Sequence, residues 1–112
     1  MGDEKRVSRR IQKRFILRAA LFGEEPLRWS YVTIQNISSS GVLFTFDKPV
    51  KAGDLMHFKI DFPDRLIECM GRARRLGGMP GGVFQEVGAS FEGIRPNDRN
   101  YIDDIVRRMV LV

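Results

Sequence analysis

Three arginines near the start of the chain, Arg9, Arg10 and Arg14, have the chemistry to recognise a phosphorylated ligand. A guanidinium group binds phosphate through two parallel hydrogen bonds, donates to the O6 and N7 edge of guanine, and stacks on base faces. Arg10 and Arg14 would be about 6 Å apart on one face of a helix, or about 13 Å apart on one side of an extended chain. The longer span suits a ligand with two recognition points, such as a dinucleotide.

A second polar set, Asn36, Ser38 and Gly41, lies between two apolar runs. Such residues are typical of a hairpin connection, because Asn and Ser side chains bond nearby backbone and Gly accepts positive φ. On extended backbone Asn36 and Ser38 would face the same side, and Gly41 has no Cβ to keep a ligand away from the main chain. A plain turn is the simpler interpretation of this stretch alone. Together with the arginines, it predicts a site for guanine and phosphate.

Basic charge is concentrated in residues 1–14, which hold six basic side chains against Asp3 and Glu4. The rest of the chain is nearly neutral, with 13 basic and 12 acidic side chains. We expect residues 1–14 to form a flexible basic arm and residues 15–112 to form one folded domain. A short basic arm favours an anionic partner, and a merely solubilising tail is the alternative.

The rarer residue types exclude several functions. One cysteine, Cys69, and one histidine, His57, cannot form an intrachain disulfide or a metal site of Cys and His at the usual spacing. The adjacent acids Glu24-Glu25 and Asp103-Asp104 fall in a turn and a helix and do not form a spaced catalytic pair, so we expect no enzyme and no cofactor. No apolar run approaches the roughly 20 residues that span a bilayer, and no signal-peptide core is present. We therefore expect a cytoplasmic protein without membrane insertion.

The distribution of apolar and turn residues predicts six strands and one helix. Phe58, Ile60 and Phe62 alternate with polar residues, which is typical of a half-buried strand. The predicted strands are 15–22, 29–36, 41–46, 55–62, 66–76 and 83–91, and the predicted helix is 97–109. Six short strands at regular spacing indicate an all-β fold, a small antiparallel barrel whose C-terminal helix covers an opening or an edge.

Other conspicuous side chains have ordinary structural interpretations. We expect Trp29 and Cys69 to pack in the core and His57 to lie on a strand surface. The basic run Arg72–Arg75 is interpreted as an exposed strand face. Its alternative role is to add positive potential beside the ligand site.

Arg10-x-x-x-Arg14 followed by Asn36-x-Ser38-x-x-Gly41 resembles the PilZ domain. The PilZ pattern is RxxxR followed by an xSxxG motif that begins with Asp or Asn. The resemblance covers most of the chain and extends to five further features: Phe15, the loop 49–53, residues 71–75, residues 87–91 and the closing helix. It implies a six-stranded antiparallel barrel that binds the bacterial second messenger cyclic di-GMP and signals to a downstream protein.

The resemblance implies a role for each of the matching site residues. Arg10 and Arg14 would hold guanine faces and phosphates, while Asn36 and Ser38 would hydrogen-bond to guanine and phosphate from the barrel surface. Gly41 would permit the turn. Asn36 departs from the commoner Asp, because it keeps an acceptor oxygen but lacks the charge.

Arg9, directly before the first motif, resembles members that bind an intercalated pair of ligands. Two other functions stay open. One is a PilZ-like adaptor without ligand binding, although the arginines would then have no evident structural task. The other is a small nucleic-acid-binding barrel, for which the aromatic residues mostly fall at core positions and the body is nearly neutral. We therefore expect no nucleic-acid partner.

Overall fold

The computed structural model describes residues 15–78 and 84–111. Six strands and one helix follow one another along the chain. They are β1 (Ile16–Leu21), β2 (Ser30–Ile37), β3 (Gly41–Phe46), β4 (Leu55–Phe62), β5 (Arg65–Gly78), β6 (Gln85–Gly93) and α1 (Pro96–Leu111). The predicted six-stranded fold with a C-terminal helix is confirmed.

Antiparallel pairing closes the strands into a barrel with the order β1-β2-β3-β6-β5-β4. Closure depends on β1, whose register runs from Ile16 opposite Asp61 to Leu21 opposite Met56 along β4. Because the sheet closes on itself, this arrangement leaves no free edge along the ring of strands. The helix therefore has no sheet edge to cover and packs on the barrel core instead.

Alternation along each strand sends one set of side chains into the barrel. On β4 the buried residues are Met56, Phe58, Ile60 and Phe62, and the residues between them point outward. Phe58 lies at the centre of an aromatic cluster, with its ring 5.6 Å from that of Phe44 and 6.0 Å from that of Phe91. Edge-to-face contacts of this kind add to the free energy of apolar burial.

Helix α1 is anchored at both an apolar and a charged contact. Ile102 is fully buried in the core, and the Tyr101 ring packs 5.2 Å from that of Phe62. In the first turn, the buried Asp98 carboxylate pairs with Arg65 at 3.3 Å and Arg95 at 3.1 Å. An acidic side chain at a helix N-terminus is favourable, and here it also ties the helix to β5.

Within the described ranges, no helix has the length and apolar character to cross a membrane.

Three structural predictions can be compared directly with side-chain positions. Cys69 is buried as predicted, and burial raises the pKa of its thiol to about 12, so it is an unreactive packing residue. His57 faces outward, also as predicted, with the Phe22 ring stacked 5.3 Å away. Trp29 was wrongly predicted to be in the core. It is half-buried outside the barrel, 6.2 Å from His57 and 4.6 Å from the ammonium of Lys59.

Candidate ligand-binding groove

The turn between β2 and β3 is held by its own polar groups. The amide of Ser38 donates to the carbonyl of Gly41 at 2.9 Å, which closes the hairpin. The Ser38 hydroxyl accepts from the amide of Ser40 at 3.2 Å and lies 2.9 Å from its hydroxyl. These contacts confirm the hairpin and fix the side chain of Ser38 relative to the backbone.

Two tethers from distant elements hold the same turn against the barrel. Arg99 in α1 donates to the carbonyl of Ser39 at 2.8 Å. The amide of Phe91 in β6 donates to the carbonyl of Ser40 at 2.9 Å. The turn is therefore preorganised, and a ligand bound to it would not bear the entropic cost of ordering these residues.

Asn36 and Ser38 are both exposed, and Ile37 between them is buried. The prediction that the two polar side chains share one side is thus confirmed. A register shift between Ile34 and Asn36 leaves Gln35 as an extra residue in β2. Such a bulge changes the direction in which the following side chains point.

Gly41 is required for a reason that differs from the expected one. It does not have positive φ; among the described glycines only Gly23 and Gly53 do. A Cβ at Gly41 would lie 2.2 Å from the carbonyl oxygen of Ala89 on β6. The missing side chain therefore allows β3 and β6 to approach closely at the edge of the turn.

An open groove of about 560 Å³ runs from this turn across the outer faces of β3, β6 and β5. Gly88 lines the groove and pairs with Leu43 on one side and Arg75 on the other. A Cβ at Gly88 would reach Arg75 at 3.6 Å and Leu43 at 3.7 Å, so the glycine leaves the gap between them open. Asn36, Ser38 and Gly41 border one end of the groove.

The arginines of β5 differ in their contacts. Arg72 and Arg74 both pair with the carboxylate of Glu92, at 2.9 and 2.8 Å, and Arg74 also donates to the hydroxyl of Ser90 at 2.9 Å. The hydrogen bond from Arg72 lowers the pKa of Glu92 and raises the pKa of Arg72 itself.

Arg75 makes no ion pair or side-chain hydrogen bond to another described residue. Both Arg74 and Arg75 line the groove, whereas Arg72 does not. The run was interpreted as an exposed strand face. Two of its arginines also border the site, because the register shift between Ala73 and Arg75 leaves both residues after Ala73 exposed.

The predicted site residues Arg9, Arg10 and Arg14 lie outside the described residues. The described chain begins close to the groove, however. Phe15 and Asn36 line a common smaller cavity of about 290 Å³. Phe15, the first described residue, therefore lies near the turn. Within residues 15–78 and 84–108, no cluster of His, Cys, Asp or Glu side chains is arranged to hold a metal ion.

The family model of the PilZ domain matches residues 4–108, which include both motifs and the whole barrel. The chain belongs to the PilZ family. PilZ domains are a receptor family for cyclic di-GMP, and they act as receptor or adaptor domains. The exposed Asn36 and Ser38 and the groove beside them lie on the wall of this PilZ barrel.

Solved structures agree with the PilZ fold. The inhibitor of motility MotI/DgrA from Bacillus subtilis is similar with a TM-score of 0.69 and 19% sequence identity. The similarity covers 86% of this chain and 48% of that protein, so this chain spans about half of its length. At this identity the comparison shows the fold. No curated protein matches the chain.

Proposed function

We propose that the chain is a receptor that binds cyclic di-GMP in the groove beside the β2–β3 turn and signals to a partner protein. The observation that carries this proposal is the joint exposure of Asn36 and Ser38 at one end of the groove, with Arg75 on the far wall. The groove volume of about 560 Å³ lies within the range typical of small-molecule sites. Neutral acceptors at one end and a guanidinium at the other suit a ligand with guanine bases and phosphates.

In this proposal the turn and the arm hold different parts of the ligand. Asn36 and Ser38 hydrogen-bond to guanine and phosphate from the barrel, and Arg10 and Arg14 approach from the segment before Phe15. The position of Phe15 near Asn36 supports this, because Arg14 directly precedes Phe15 and Arg10 lies only five residues before it, so both are within reach of the groove. Arg75 would add positive charge to the site. Asn36 is neutral where Asp would be negative, so it does not reduce that charge.

The basic arm, residues 1–14, supplies the signal in this scheme. Binding would bring the arm onto the barrel wall and create a surface made of arm, ligand and barrel for a partner. Ordering costs about 1–2 kcal/mol per residue, so the charged contacts have to exceed that cost. Arg9 would stack on a second ligand molecule, which makes an intercalated pair the expected bound form.

The second candidate is an adaptor that acts through protein contacts without a ligand. The structural neighbour MotI/DgrA is named as an inhibitor of motility, which favours a protein-interaction role for that PilZ barrel. For this chain, the open groove and the exposed motif residues favour the receptor. Titration with cyclic di-GMP separates the two, because the adaptor would give no heat of binding.

Replacing Ser38 by alanine should weaken cyclic di-GMP binding about two- to tenfold. The change removes one neutral hydroxyl, and such hydrogen bonds contribute about 0.5–1.5 kcal/mol. Ser40→Ala is the matched control, because it also breaks the contact between the two hydroxyls but leaves the proposed ligand contact intact. Calorimetric titration of both folded variants checks this. Equal losses in both would mean that Ser38 acts only through the turn.

A further inference from the structure

Aromatic and basic side chains form a second surface on the outside of β1, β2 and β4. We call it the aromatic-basic surface, and its members are Arg18, Phe22, Trp29, Tyr31, His57 and Lys59. Tyr31 is 76% exposed and Phe22 is 57% exposed, and exposed apolar side chains grouped in one patch are typical of interaction sites. The receptor function proposed above uses none of these residues.

The aromatic side chains of this surface contact one another above Ala20, a small residue of β1. Ala20 pairs with His57 across β4 and has no exposed area, although it lies outside the core cluster. The imidazole of His57 stacks on Phe22 at 5.3 Å and meets the edge of Trp29 at 6.2 Å. The rings are therefore held in place before any partner binds, which reduces the entropic cost of binding.

Two basic charges of this surface lie at opposed positions of neighbouring strands. Arg18 lies directly opposite Lys59 on β4 and opposite Tyr31 on β2. Like charges at opposed positions destabilise a sheet. The ammonium of Lys59 lies 4.6 Å from the Trp29 ring, and its other neighbour, Glu68, forms no ion pair with it. Within the described residues, neither Arg18 nor Lys59 forms an ion pair, although Glu68 lies opposite Lys59 on β5.

The surface lies on the barrel wall opposite the groove. In the closed order β1-β2-β3-β6-β5-β4, β1 is three strands from β6 in either direction. The groove is centred on β6 and the aromatic-basic surface on β1. A ligand in the groove and a partner on this surface could therefore be bound at the same time.

We propose that the aromatic-basic surface docks a segment of another protein that carries both acidic and apolar side chains. Tyr, Trp and Arg are enriched at the energetic centres of protein interfaces. Carboxylates from the partner would relieve the repulsion between Arg18 and Lys59, and apolar side chains would cover Tyr31 and Phe22. A nucleic acid fits less well, because one face of Trp29 is already occupied by Lys59 and the Phe22 ring is stacked on His57.

The only tryptophan of the chain reports on this surface, because Trp29 is one of its members. The probe is a short synthetic peptide of alternating glutamate and leucine, and the measurement is Trp29 emission during titration. We expect a saturable change that weakens as salt is added. Tyr31→Ser and Arg18→Glu should each raise the dissociation constant about tenfold, because they remove apolar contact and reverse an attractive charge.

Matched controls distinguish binding at this surface from nonspecific apolar or electrostatic binding of the peptide. Phe84→Ser removes an apolar side chain with 52% exposure outside the surface, and Lys51→Glu reverses an exposed charge in the loop before β4. Both should leave the affinity within about twofold of wild type. A peptide of alternating lysine and leucine should not bind.

Three results would overturn the proposal. The first is no saturable emission change with the glutamate–leucine peptide, and the second is equal weakening by Phe84→Ser and Tyr31→Ser. The third is tighter binding of poly(U) RNA or phosphatidylglycerol vesicles than of the peptide, with the same dependence on Arg18. That pattern would assign the surface to nucleic acid or to a membrane instead.

Discussion

Replacing Arg10 or Arg14 by alanine should weaken binding of cyclic di-GMP by about ten- to a hundredfold for each substitution. Each change deletes charge-assisted hydrogen bonds to phosphate or guanine, which contribute about 1.5–3 kcal/mol apiece, and a factor of ten corresponds to about 1.4 kcal/mol. Loss of stacking on the base adds to the effect. Calorimetric titration of the folded variants measures it.

Lys13→Ala is the matched control, because it removes the same charge from the same segment but keeps both motif arginines. We expect its affinity to stay within about threefold of wild type, since a lysine outside the two arginine positions has no proposed contact with the ligand. Arg10→Lys keeps the charge but loses the bidentate geometry, so it should lose most of the affinity that alanine loses. Equal losses in Lys13→Ala and Arg14→Ala would show that net charge, and not the motif, governs binding.

Gly41→Ala should destabilise the fold by about 2–4 kcal/mol. The new Cβ would lie 2.2 Å from the carbonyl oxygen of Ala89, and a backbone atom of a paired strand cannot move aside as a side chain can. Urea unfolding followed by Trp29 fluorescence gives the free energy of unfolding directly.

Gly88→Ala is the comparison for this prediction. It lies on β6, in the same groove, and its Cβ would have no neighbour closer than 3.6 Å, which is ordinary contact. We expect its free energy of unfolding to fall within about 1 kcal/mol of wild type. If Gly41→Ala unfolded at the same urea concentration as Gly88→Ala, close strand approach would not explain the glycine at position 41.

The fold could be predicted from the sequence, because the alternation of apolar and polar residues and the turn residues between strands mark each strand separately. β3 and β4 begin and end where predicted, since each is bounded by turn residues and one face of each is apolar. β5 extends two residues past its predicted end. Gly77 and Gly78 look like loop residues, yet both pair with β6, and only the partner strand determines that. Trp29 was misplaced because a single residue ahead of a strand has no alternation to fix its side.

The candidate site could be predicted only in part from the sequence. The two-residue spacing of Asn36 and Ser38 was enough to predict that they share a side. The tether from Arg99 could not be predicted, because it reaches a carbonyl 60 residues earlier in the chain and follows no local pattern. Gly88 and Arg75 also belong to the groove through strand pairing alone. Residues that build a site through long-range register leave no signal in their own stretch of sequence.

Titration of the isotope-labelled protein with cyclic di-GMP, followed through its backbone amide signals, tests binding in the groove most directly. We expect saturable shifts at Asn36, Ser38, Gly41 and Gly88, while the amide of Lys59 on the opposite wall stays unchanged. Absence of saturable shifts at millimolar ligand, or shifts confined to β1 and β4, would contradict the proposed receptor function.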